Sequence, residues 1–150
     1  MKGTDAVQMA DDERDEFLGR SGTGVLSLST AGDDPPHSVP VSYGYDPVEE
    51  TFYFRLAVGE GSGKANPTDR GVTFVTYGER DGRWKSVVAS GRLVSTTDDA
   101  LSTESLAGLE RTDQIPIVDV FGQPTSQIQF EFYRLDPDRL TSRVERPMGP

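Results

Sequence analysis

"GVTFVTYGERDGRWKSVVASGRLVS", residues 71–95, holds two runs rich in β-branched and aromatic residues, separated by "RDGR". Asp-Gly supplies the two left-handed positions that a tight hairpin turn requires, so the runs 71–79 and 84–95 read as antiparallel neighbours. The second run is long and carries Gly91, which predicts a bulge or bend of the kind that lets a sheet curve into a barrel.

Working outward toward the N-terminus, the same chemistry repeats. In "TFYFRLA", 51–57, Phe52, Phe54 and Leu56 share one side and Tyr53 and Arg55 the other. In "HSVPVSYGY", 37–45, Val39, Val41, Tyr43 and Tyr45 alternate with polar residues, and Pro40 predicts an edge position or a bulge. "GVLSLST", 24–30, sets Leu26 and Leu28 against Val25, Ser27 and Ser29. "AGDDPP" and "DPVEE" are turn chemistry. "ADDERDEFLGR", 10–20, predicts a short helix capped by Asp11 or Asp12 and stopped at Gly19.

Toward the C-terminus, "TTDDALSTESLAGLE", 96–110, predicts a helix, and residues 111–125 read as helix or coil. "SQIQFEFYRL", 126–135, predicts a sixth strand with Ile128, Phe130 and Phe132 inward, and the polar tail 137–150 an arm. Five strands in succession, a helix and a sixth strand predict a mainly β, antiparallel barrel with peripheral helices. Without repeats or a linker, residues 1–150 read as one domain.

The formal charge is −10, from 25 acidic and 15 basic residues, which argues against nucleic acid or an anionic membrane as partner. The acids are spread along the chain, and only Lys2, Lys64 and Lys85 are lysines, a composition similar to a halophile's. Lysine scarcity draws attention to Lys64 and Lys85. There is no cysteine and one histidine, His37, which exclude thiolate chemistry and disfavour a His-rich metal site or a His-based triad. No apolar run reaches the ~20 residues of a membrane span, and the first residues carry no secretory signal pattern, so a cytoplasmic protein is expected.

After the third strand comes "VGEGSGKANP", 58–67. A nucleotide P-loop would need Gly at Val58 and Ser or Thr at Ala65, and the dinucleotide pattern fails on spacing. An anion cradle still fits, with glycine N–H groups, the Ser62 hydroxyl, the Lys64 ammonium and Arg55 from the preceding strand. A solvated loop with exposed Arg and Lys fits these residues as well.

In order, "GVLSLST", "HSVPVSYGY", "TFYFRLA", the Gly-Ser loop ending at Lys64, "VTFVTYG" and "WKSVVASGRLV" resemble the flavin-binding split barrel of the pyridoxamine 5′-phosphate oxidase-like family, nitroimidazole-resistance-like branch. The resemblance spans Gly24 to Ser95. It implies a six-stranded Greek-key split barrel, a homodimer, and FMN sites at the subunit interface. Val41, Ser42 and Tyr43 would lie along the flavin ring, Phe54 and Arg55 along the ribityl and phosphate region, Ser62, Gly63 and Lys64 at the phosphate, Ser86 near the flavin and Trp84 at the pocket rim. The family's second basic residue before the lysine is Gly63 here. The oxidase proper's C-terminal Arg and His signature is absent, since "DRLTSR" offers Arg139 and Arg143 but no His, which argues against oxidation of pyridoxamine phosphate and leaves the substrate open. An FMN-dependent oxidoreductase acting on a small molecule is the expectation. A non-enzymatic flavin store or sensor, or the same barrel with a deazaflavin or heme, are its competitors.

Overall fold

The computed structural model describes residues 6–59, 68, 70–96 and 128–145. The alternating runs become strands: β1 Ala6–Val7, β2 Ser21–Leu28, β3 His37–Asp46, β4 Thr51–Gly59, β5 Gly71–Arg80, β6 Arg83–Thr96, β7 Ile128–Leu135 and β8 Arg139–Glu145. One helix, α1 Asp11–Leu18, precedes β2. All pairings are antiparallel, in the order β1-β8-β6-β5-β2-β3-β4-β7, and an added β6–β7 pairing closes the sheet. Of the helix expected over 96–110, Thr96 ends β6 instead, and 97–110 lie outside the described residues.

The β5–β6 hairpin turns on Asp81 (φ 57°) and Gly82 (φ 77°), the two left-handed positions that Asp-Gly predicts. At Gly91 β6 exchanges partners. It pairs with β8 through Ser90↔Arg139 and with β7 from Leu93↔Leu135. A Cβ on Gly91 would stand 3.1 Å from Leu135 Cδ1 and 3.3 Å from the Asp138 nitrogen. Glycine therefore admits the turn that crosses over the strand there.

Two expectations are corrected. The sheet has eight strands among the described residues, not six, because β1 pairs with β8 and the presumed arm contributes β8. β8 sends only Ser142 and Val144 fully inward, with Leu140 half-buried, so its apolar signal is weak. In β7 the alternation has the opposite phase: Tyr133 and Leu135 are buried, whereas Phe132 pairs with Arg55 on the outer side. Aromatic residues stand next to each other at 132 and 133, so the composition allows either phase, and only the register with β4 selects one.

The barrel interior centres on Phe74, whose ring lies 5.2 Å from Tyr43, 5.5 Å from Phe52 and 5.0 Å from Phe54. Gly24 keeps this cluster tight. A Cβ there would fall 2.5 Å from the Val75 carbonyl oxygen and 2.6 Å from the Phe74 ring.

α1 covers one end of the barrel with Phe17 and Leu18. Its N-cap is Ala10, without a side-chain cap; Asp11, Asp12 and Glu13 occupy the first turn instead, where the helix dipole favours acids. Gly19 ends it at φ 62°, as expected. The buried Arg14 donates to Asp15 and to Glu50, a residue held in the left-handed region (φ 53°) of the β3–β4 turn. Burial works against its charge, but these hydrogen bonds outweigh that, and the guanidinium is held above its ordinary pKa. Lys85, singled out by its scarcity, faces the interior beneath α1, 3.2 Å from Glu13. It anchors the helix.

Candidate functional site

β3 pairs with β2 along Ser21↔Gly44 to Leu28↔His37, but with β4 only from Asp46↔Thr51 to Tyr43↔Phe54. β4 then continues against β7 as far as Gly59↔Ile128. The sheet thus opens between β3 and β4. Over residues 37–42, no strand among the described residues pairs with the β4-facing edge of β3.

The Tyr45 N–H donates to the Arg20 carbonyl, 2.9 Å, so the odd-numbered residues of β3 aim their main chain at β2. Ser38, Pro40 and Ser42 therefore aim theirs into the opening. Pro40 has no N–H to leave unsatisfied there, which explains a proline inside a sheet and meets the edge expectation.

The candidates divide by face. Val41, Tyr43 and Phe54 turn their side chains into the core, at 5%, 3% and 0% exposure. Their side chains build the barrel, and the main chains of Val41 and Tyr43 are turned toward β2 rather than into the opening. The Tyr43 hydroxyl donates to the Leu18 carbonyl, 2.8 Å, and burial pushes its pKa up to about 12. Ser42 and Arg55, half-buried, lie on the outer face where the opening begins. Tyr53 is beside them, its pKa raised chiefly by burial. Trp84 and Ser86 also lie on the outer face, on β6. Ser62, Gly63 and Lys64 lie outside the described residues.

Ser42 and Ser86 are separated by β2 and β5, three strand spacings or ~14 Å. Within one chain the Ser42/Arg55 group and the Trp84/Ser86 group do not converge. Trp84 instead stacks at a tilt on Tyr77, ring centres 6.1 Å apart, and both are exposed.

Charge sorts the faces further. Register aligns Pro40–Val25–Val75–Val88 as an outer apolar row and Ser38–Ser27–Thr73–Ser90 as an adjoining hydroxyl row. Ser27 and Ser38 hydrogen-bond at 2.7 Å. Neither row holds a carboxylate, in a chain with 25 acids. The hydroxyls of Ser27 and Ser29 were legible on one side of their strand, but their alignment with Thr73 and Ser90 depends on strand register. Among the described residues no group of three or more His, Asp or Glu is placed to hold a metal ion, and no helix is long and apolar enough to cross a membrane.

Comparison with solved structures gives the same barrel. An FAD-binding protein from Mesorhizobium loti superimposes with TM-score 0.61 at 21% identity, over 93% of this chain and 96% of that one. An FAD-binding protein from Mycobacterium smegmatis gives 0.60 at 19%, over 95% and 100%. An FAD and heme binding protein from the same organism gives 0.62 at 11%, over 97% and 76%. Identities this low establish the fold alone. No curated protein sequence matches. Residues 10–144 match the sequence pattern of the family described as pyridoxamine 5′-phosphate oxidase. That match, together with a barrel opened between β3 and β4, places the chain in the pyridoxamine 5′-phosphate oxidase family.

Proposed function

We propose that the protein is a flavin-binding cytoplasmic oxidoreductase that uses FMN and works as a homodimer on a small-molecule substrate. The observation that carries this reading is the opening beside β3. A planar heterocycle with imide and carbonyl groups needs main-chain donors and acceptors at a sheet edge, and Ser38 and Ser42 direct theirs there. Arg55 stands at the inner end of the opening. With Ser62, Gly63 and Lys64 from the following loop it forms the anion-binding set for a flavin phosphate.

When bound, the flavin supplies the redox chemistry. The chain's own residues orient and shield. Main-chain groups of β3 would hold the flavin's polar groups, Arg55 and Lys64 would neutralise its phosphate, and Trp84 would shield it from water.

The separation of the two candidate groups supports the homodimer reading. Trp84 and Ser86 reach a ring at Ser42 only from a second copy. The row Pro40–Val25–Val75–Val88 offers that copy an apolar surface without carboxylates, where two chains of charge −10 meet with least repulsion.

The test is the absorbance spectrum of purified protein, followed by NADH and NADPH oxidation after loading with FMN. Bound flavin with turnover supports the proposal. Bound flavin without turnover leaves a store or sensor, and colourless protein that ignores added FMN overturns it.

A further inference from the structure

On the outer face, one row beyond the apolar row, a groove of about 440 Å³ opens at the end of the barrel where β5 begins. Ser27, Ser29, Thr73 and Ser90 line it with hydroxyls, and Arg92 and Asp138 complete the lining on either side of Ser90 and Gly91. The Thr73 and Ser90 hydroxyls are 3.4 Å apart, and the Asp138 N–H donates to the Ser90 carbonyl at 2.8 Å. Arg70 Nη1 donates to the Ser29 carbonyl, 3.3 Å, at one rim, and Arg139 stands opposite Ser90 at the other.

Four hydroxyls with arginines on two rims and a single lining carboxylate form an unusual surface for so acidic a chain. Guanidinium groups fit phosphate oxygens, a carboxylate fits a sugar diol, and serine and threonine hydroxyls donate to or accept from either. We propose that this groove binds a phosphorylated ribose. It rests on the flavin reading only for the source of that group. The source is either the adenylate half of a flavin dinucleotide or that of a nicotinamide dinucleotide donor.

The test is calorimetric titration of the full chain with ribose 5-phosphate and AMP, with adenosine as the unphosphorylated control. Both phosphorylated probes bind, adenosine binds at least about tenfold more weakly, and Arg92→Ala removes the preference. Asp138→Asn weakens the ribose probes and leaves inorganic phosphate unaffected. FAD binding tighter than FMN assigns the groove to the flavin. NADH binding tighter than reduced nicotinamide mononucleotide, with FAD and FMN equal, assigns it to the donor. AMP that fails to bind, or binds Arg92→Ala as well as wild type, overturns the proposal even if FMN binds. AMP binding by a chain that ignores FMN sustains the groove and removes the flavin reading instead.

Discussion

The two faces of one strand set can be compared position by position. Along β2, β3, β5 and β6 the inward residues are Leu26, Tyr43, Phe74 and Val87, none exposed beyond 3%. Between them, on the same strands, stand Val25, exposed, and Ser42, Thr73 and Ser86, half-buried on the outer face. The inner set holds the barrel, and the outer set is free to be chosen for a partner or ligand. A site built this way can change chemistry without unfolding, because neighbouring residues in sequence serve different faces.

The most severe way to break this comparison is Phe74→Ala. It empties the centre of the aromatic cluster and costs about 3–5 kcal/mol, read as a lowered midpoint in urea. Gly24→Ala, forced against the Val75 carbonyl, costs about 1–3 kcal/mol by the same measurement.

Alkaline titration comes next. The phenols of Tyr43 and Tyr133 are pushed up to about 12, chiefly by burial. The folded state keeps protons that the unfolded chain releases near 10, so stability is full below pH ~10 and falls as pH rises toward 12. Each buried phenol removes about 1 kcal/mol or more over that window. Tyr43→Phe abolishes its share and loses about 1 kcal/mol near neutrality with the hydrogen bond to Leu18. A stability profile flat from pH 9 to 12 contradicts this assignment.

The outer face answers differently. Val75→Asp puts a carboxylate in the apolar row and changes the folding stability of an isolated chain by no more than ~0.5 kcal/mol. It shifts the sedimentation profile from dimer to monomer; a dimer that persists refutes the proposed interface. Arg55→Ala leaves the melting curve nearly unchanged and weakens FMN about tenfold or more.

Much of this was written locally. Leu26 and Leu28, and Val39 through Tyr45, alternate with polar residues, and a period of two needs no knowledge of the rest of the chain. Asp81-Gly82 announced the hairpin, and Pro40 announced an open edge because a proline cannot donate to a ladder. Gly91 marked a bend, though not that β6 changes partner there. Of the candidate site, Ser42 and Arg55 lie on the outer face, where the β3–β4 pairing ends. Tyr43 and Phe54 were chosen by position in a motif, and the pleat turns them into the core.

The sequence by itself determined where β3, β4 and β5 begin, which residues of β2 to β6 point the same way, and that a cationic, glycine-rich segment follows β4. Only the tertiary structure decided that Tyr133 rather than Phe132 faces inward, and that a weakly apolar tail becomes β8. It also decided that β3 and β4 part beyond Tyr43, and that hydroxyls from three strands meet in one groove. Alternation is a property of one strand, whereas phase, closure and convergence are properties of register between strands distant in sequence.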